Sequence, residues 1–285
     1  IYTGEDTLSL HDALPIWFES YLISAMYFQS NTLHQPLNVI EQYYETGMTE
    51  PPHSHVCHQL IIVKHGFIRV ATPKGFFAIT QHRGIWLTQN TEHSLSILKN
   101  TQVLSAFVEP LARADLPNRS QVVVISELLQ ALLGSASGID SHYADNTREA
   151  WIVELILDEL RRLTPLADFE VSHPTLPEYK AVCDKISQRL SHQWALADIA
   201  QMLGISERTV SRQFTAQTGL SFVEWLRRLR LQHSLELLLQ GQSVVDVALA
   251  VGYDSPSAFS TAFKQRIGVS PTQYVVQYQQ NFNSP

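Results

Sequence analysis

AQMLGISERTVSRQFTAQTGLS (Ala200–Ser221) and ALAVGYDSPSAFSTAFKQRIGVS (Ala248–Ser270) are two versions of one unit, 48 to 49 residues apart. In each, a small-residue helix ends at glycine, three residues form a turn, and a second helix carries phenylalanine near its end. A Gly-x-Ser exit closes both. Two helices joined by a tight turn, the second with one apolar and one polar face, make a helix-turn-helix. In the first copy Leu196, Ile199, Ala200 and Leu203 are expected to bury the leading helix, with Ala200 small where the second helix crosses. Gly204 suits the positive φ of the turn, and Ser206 suits the cap of the next helix. Val210 and Phe214, at i and i+4, should point inward. That leaves Arg208, Thr209, Ser211 and Arg212 outward, where arginine is well suited to guanine O6 and N7. One such unit could be an ordinary helical hairpin; two joined by the amphipathic stretch Phe222–Leu239 are far more specific. Ser221-x-x-Glu224 and Ser243-x-x-Asp246 read as capping boxes that start the following helices.

The first half of the chain has a different rhythm. LNVIEQYY, QLIIVK, FIRVAT, GFFAIT, GIWLT, HSLSIL and QVLSAFV are short runs rich in β-branched and aromatic residues. Turns are expected at Gly47, His65-Gly66, Pro73-Lys74-Gly75 and Arg83-Gly84, a pattern for an antiparallel barrel or sandwich over 17–118. From about Ser120 the period becomes helical. Trp151, Ile152, Leu155, Ile156 and Leu160 form an apolar stripe for the barrel or for a second subunit, so 119–163 reads as a helical segment and dimer interface. Residues 164–177, with three prolines, read as a linker, and 178–285 as an all-helical domain. Residues 1–16, containing DTLSLHDALPI, resemble an in-frame sequencing adapter and are expected to lie outside the native fold.

The net charge of −7 speaks against nucleic acid until the chain is divided: residues 1–174 carry −9 and residues 175–285 carry +2. Two distant cysteines fit a reduced, cytoplasmic protein, and no apolar run is long enough to span a membrane.

Gly47 to Gly66, GMTEPPHSHVCHQLIIVKHG, holds four histidines and Cys57. His53 and His55 alternate along a strand and so share a face. His58 and His65 have the wrong spacing and read as surface or turn residues.

Two resemblances follow from these residues. LADIAQMLGISERTVSRQFTAQTGLSFVEWLRRLRL and VVDVALAVGYDSPSAFSTAFKQRIGVSPTQY resemble the DNA-binding domain of AraC/XylS transcription regulators, the second through Ala248, Gly252, Phe259, Phe263, Lys264, Gly268 and Ser270-Pro271. The resemblance implies seven helices and double-stranded promoter DNA as partner. Arg208, Ser211 and Arg212 would read bases, Ser257, Ser260 and Thr261 would face DNA from the second unit, and Lys264 would contact phosphate. The spacing Gly47, His53, His55, Gln59, Gly66 resembles the first cupin motif, with glutamine where metal-binding cupins have glutamate. WLTQNTEHSL would add His93. His53, His55, Gln59 and His93 are thus the expected effector or metal site. They are expected to line a polar effector pocket or simply to bond one another, and the alternative is that they hold a divalent transition metal as cofactor. The expected architecture is α+β and multidomain: a cupin-like antiparallel barrel with flanking helices, then a helical domain with two helix-turn-helix units. The expected protein is a cytoplasmic, homodimeric, effector-responsive regulator and not an enzyme. The rival reading is a dioxygenase-like cupin metalloenzyme with an appended helical domain.

Overall fold

The computed structural model describes residues 35–73, 75–140, 142–166 and 171–282. The adapter-like residues 1–16 lie outside them. LNVIEQYY forms β1 (Leu37–Tyr44), and along one of its faces burial falls from Leu37 and Val39, which are buried, to Glu41 and Tyr43, which are exposed. It is followed by β2 (Thr49–His53), β3 (His58–Thr72), β4 (Gly75–Ile79), β5 (Arg83–Leu87) and β6 (His93–Val108). All pairings are antiparallel. β3 and β6 pair from His58↔Val108 to Ala71↔Ser94. β1 and β2 line the outer edge of β6; β5 and β4 line that of β3.

Two expected turns are absent. β3 runs straight through Gly66, with register shifts between Val63 and Ile68. Gly66 has φ +97°, and a Cβ there would collide with Thr101, so the glycine makes a bulge and the strand continues. The turn before β5 sits earlier, where Arg83 N donates to Thr80 O over 3.1 Å and His82 has φ 60°. Gly84 lies inside β5, small because Ile62 and Ile125 close over it.

The region after residue 119 opens with a strand, β7 (Gln121–Val124), because three successive valines pair with β5. Two helices follow, α1 (Glu127–Ala136) and α2 (Arg148–Leu160), capped by Ser126 and Thr147. Their Leu129, Leu133, Ile156 and Leu160 pack with Leu60, Ile62, Trp86 and Leu104 of the sheet. The expected linker is partly sheet: β8 (Thr164–Pro165) pairs with β7, and β9 (Val171–Ser172) with β4.

Seven helices complete the described chain: α3 (Pro177–Gln188), α4 (Leu196–Leu203), α5 (Glu207–Thr218), α6 (Phe222–Leu239), α7 (Val244–Ala250), α8 (Pro256–Ile267) and α9 (Pro271–Phe282). None of the described helices is long and apolar enough to cross a membrane. α6 is the axle. Trp225 and Leu229 join the core of the first unit, and Leu235 and Leu238 that of the second.

α6 also docks on the sheet. Gln232 Oε1 accepts from the backbone N–H of Ala78 at 2.8 Å, and Trp225 Nε1 donates to Ser172 O at 2.9 Å. Arg69 on β3 grips Glu236 with two guanidinium nitrogens, Nε to Oε1 at 2.8 Å and Nη2 to Oε2. Burial holds the Glu236 carboxyl above its ordinary value despite the pull of Arg69. The ion pair therefore offsets a desolvation penalty more than it adds net stability. Arg69→Ala, which strands that carboxylate, is expected to lower stability by about 1–3 kcal/mol. Glu236→Gln, which removes the charge and keeps the shape, should lower it less; thermal unfolding of the full chain reads both.

Candidate nucleic-acid interface and histidine cluster

In the first unit, Ile199, Val210 and Phe214 are fully buried, and Phe214 meets Trp225 and Phe222 edge-on at 5.5 and 5.6 Å. Gly204 adopts φ +66°, and Ile205 N donates to Ala200 O, closing the tight turn. Ser206 Oγ accepts from Thr209 N at 3.3 Å. Arg208, Ser211 and Arg212 stand exposed on α5. Thr209 differs: it is half-buried, with its hydroxyl 2.9 Å from Ser206 Oγ, and so belongs to the cap.

The second unit repeats the plan with a longer turn, 251–255. Ser255 Oγ accepts from Ala258 N, Pro256 fills the first helical position, and Phe259 and Phe263 are buried. Ser257, Thr261 and Lys264 are exposed and Ser260 half-buried. The Thr261 hydroxyl donates to Ser257 O at 3.0 Å. Of the expected capping boxes, Ser221 and Ser243 do accept from Glu224 N and Asp246 N. The Glu224 carboxylate turns away, to Arg228 at 3.0 Å and Arg266 at 2.9 Å, tying α6 to α8.

A contact between the units escapes the sequence. Gln193 Nε2 donates to Gly252 O at 3.0 Å, and Arg230 Nη2 donates to His192 O at 3.0 Å. The turn of the second unit thus rests on the loop before the first. Gly252, at φ +81°, passes so close to the Leu190 carbonyl that a Cβ there would collide with it. The glycine is the one trace of this contact in the sequence.

In the sheet, His53 and His93 are cross-strand partners in the β2–β6 ladder, with ring centroids 4.3 Å apart. His55, just past β2, lies 4.9 Å from His53 and 5.2 Å from His93. Its backbone is pinned by Asn90 N, which donates to His55 O at 2.6 Å. Candidate ligand atoms of the three imidazoles all lie within 4.8 Å of one another. His53 Nδ1 is 2.8 Å from Pro51 O, and His93 Nδ1 is 2.9 Å from Thr91 O. A carbonyl only accepts, so both Nδ1 atoms carry a proton, and in the neutral ring of His93 the lone pair is on Nε2. Burial, then the neighbouring His93 and His53, lowers the His55 pKa to about 3. Burial, with His53 also opposing charge, lowers that of His93 to about 4. Both rings are neutral at neutral pH, suited to binding an ion and poorly matched to proton transfer there.

Gln59 is buried opposite Phe107, whose ring touches His55 at 5.2 Å. Its Nε2 reaches Ser105 Oγ at 3.4 Å, while Oε1 has no hydrogen-bond partner among the described residues. His58 is buried on structural duty: Nδ1 accepts from Gln89 N, and the ring packs on Trp86. His65 is half-buried at the bulge. The neighbour that sequence reasoning missed is Glu50, held by the Tyr44 hydroxyl, with Oε2 3.9 Å from His53 Nε2.

Residues 199–277 match the model of a helix-turn-helix domain family. The chain is 27% identical to the HTH-type transcriptional regulator NimR of Escherichia coli, over 80% of this chain and 83% of that protein. It is 34% identical to the regulator RipA of Corynebacterium diphtheriae, over 39% of this chain and 34% of that one. The match to the activator RhaR of Klebsiella pneumoniae spans 46% of its length at 29% identity. Among solved structures, ToxT of Vibrio cholerae aligns over 85% of this chain and 98% of its own, at 15% identity and a TM-score of 0.36. The DNA-binding domain of AdpA, solved with a target DNA, aligns over 35% of this chain and 91% of its own, at 30% identity and a TM-score of 0.34. Twin helix-turn-helix units with exposed polar second helices define a DNA-binding transcription regulator. Residues 199–277 are thus a helix-turn-helix domain like those of the relatives named here, which are transcription regulators and not enzymes.

Gly204 and Gly252 separate backbone strain from crowding. Gly204→Ala, with open space around the new methyl, is expected to cost about 1–2 kcal/mol for the left-handed conformation alone. Gly252→Ala should cost more, because the Leu190 carbonyl and Arg230 must also shift; urea denaturation of the full chain compares the two.

Proposed function

We propose that this regulator reads its operator chiefly through α5 and grips phosphate chiefly through α8, under the control of the cupin-like sheet domain. The observation that carries this is the asymmetry of the two second helices. Arg208 and Arg212 are exposed on α5, whereas α8 offers Ser257, Ser260 and Thr261 hydroxyls and a single exposed cation, Lys264, its Arg266 being turned to Glu224. Paired guanidinium donors suit base edges, and hydroxyls, backbone N–H groups and a lone ammonium suit phosphate. The buried polar set His53, His55, Gln59 and His93 supports an effector site in the sheet. Leu128, Trp151 and Leu155, exposed on α1 and α2, support a homodimer through that helical pair. A promoter-binding protein of this kind works in the cytoplasm.

Anisotropy titrations on duplexes from the region upstream of the gene test the reading. Affinity should fall steeply with salt, because each phosphate contact releases counterions. Arg212→Ala is expected to cost about 1–3 kcal/mol on the preferred duplex and to relax preference at one position. Lys264→Ala should weaken preferred and random duplexes alike. Equal weakening of both duplexes by Arg212→Ala would overturn the division of roles.

A further inference from the structure

We propose that the cleft between α6 and α8, inside the second helix-turn-helix unit, binds a small aromatic carboxylate, and that this anion changes how firmly α8 is held. The site stands on geometry; the effect on DNA rests on the regulator reading above.

The cleft encloses about 270 Å³. The buried Leu231, Phe259 and Phe263 form its floor, and Arg227, Arg228 and Arg266 form its rim. An apolar cavity of about 150 Å³ holds a benzene ring, so this one has room for a ring with a short substituent. The rings of Tyr253, Phe259 and Phe263 already meet edge-on in series, at 5.5 and 5.6 Å, and a further ring extends that packing. At the rim three guanidinium groups face one carboxylate. Glu224 accepts from Arg228 Nε at 3.0 Å and from Arg266 Nη2 at 2.9 Å, so one acid is shared by two cations. Arg227 stands exposed at the open side, and no Asp or Glu is among the described residues that line the cleft. Tyr253 lies where these charges converge: burial raises its hydroxyl pKa, and Arg230, Arg227 and Arg266 pull against that rise. Its hydroxyl stays protonated and can donate to an anion.

These features select the ligand. Forked guanidinium donors suit a carboxylate, and the excess of positive charge excludes a cation. Inorganic phosphate would leave the apolar floor uncovered, and a neutral arene would leave the rim unused. Nor is the cleft part of the DNA surface. Phe259, Phe263 and Arg266 share one stripe of α8, and Ser257, Thr261 and Lys264 share another, about 160° around the helix. A bound carboxylate competes with Glu224 for Arg228 and Arg266, and the bond to Arg266 is what ties α8 to α6. It shifts α8 only by its differential affinity for the tied and the released arrangement.

The test uses the full chain and anilinonaphthalene sulfonate, an aromatic anion whose fluorescence rises in an apolar site. One saturable site is expected. Hydrocinnamate should displace the dye; phenylpropanol, with the same body and no charge, and inorganic phosphate, with charge and no body, should not. Ala262→Trp, which fills the cleft, should abolish binding, and Arg227→Gln with Arg266→Gln should weaken it at least about tenfold. Glu224→Gln should tighten it, because the internal competitor is gone, an effect that a damaged fold would not produce. Lys185→Gln, exposed on α3, should leave it as it was. Phenylpropanol or phosphate displacing as well as hydrocinnamate overturns the ligand class, and dye binding that survives Ala262→Trp overturns the site. The displacement series on the unmutated chain keeps the test alive if a variant fails to fold. Anisotropy on the upstream duplex with and without saturating hydrocinnamate then reads the effect on α8, with an expected shift of about 5–150-fold. Equal affinities overturn the regulatory clause and leave the site. A chain that binds the anion and no duplex under either condition overturns the regulator reading instead.

Discussion

A sixteen-residue strand run straight would reach about 50 Å. β6 cannot do so, because the His55 ring lies 5.2 Å from rings at both ends of it, His93 and Phe107. The β3–β6 ladder must therefore curl, and most of the N-terminal half follows from that curl. The bulges between Val63 and Ile68, with Gly66 at φ +97°, are where the register gives. Bulges increase local twist and bend. Folding the ladder over itself places Ile61, Val63, Ile68 and Val70 of β3 in one cluster with Leu95, Ile97 and Val103 of β6. It also sets the start of β6 against its end, gathering the histidines on the inner face.

The same ladder holds the DNA-binding half. The cluster that contains Phe77 and Ile79 of β4 continues without a break into Leu235, Val247, Phe259 and Phe263. Apolar burial is nondirectional, so it fastens the halves without setting their angle. The angle comes from directional contacts: Gln232 to the Ala78 N–H, Trp225 to the Ser172 carbonyl, and the fork of Arg69 on Glu236. Polar groups this buried leave little tolerance for sliding, since each lost partner exposes a desolvation penalty. The sheet is thereby fastened to α6, which both helix-turn-helix units share.

Within the DNA-binding half, charge is distributed unevenly. Arg228 and Arg266 are drawn to Glu224, and Arg230 to the His192 carbonyl, so these arginines serve the packing of the two units. Arg208 and Arg212 stand in solvent on α5. The +2 balance of residues 175–285 therefore understates the contrast between cations spent on structure and those presented to a partner.

Local spacing determined what local forces decide. The helix-turn-helix units, the serine caps, the αL glycine at 204 and the inward Val210 and Phe214 depend on neighbours within a few residues, and all were legible in the sequence. So was the convergence of His53, His55 and His93, through a motif whose spacing encodes strand alternation. Gln59 was legible as a member of that face, but its bond to Ser105 was not. Gly66 and Gly84 misled because glycine serves a turn and a crowded strand equally well, and only the facing Thr101 or Ile62 tells them apart. Thr209 read as outward by its place on the helix, and its bond to Ser206 drew it into the cap. Tertiary structure alone decided that Glu50 flanks His53, that Gln193 and Arg230 lock the units together, and that Arg69 meets Glu236 across 167 residues of chain. Such pairs depend on strand register and on where a ladder bends, and those are settled only when the apolar faces of distant segments close on one another.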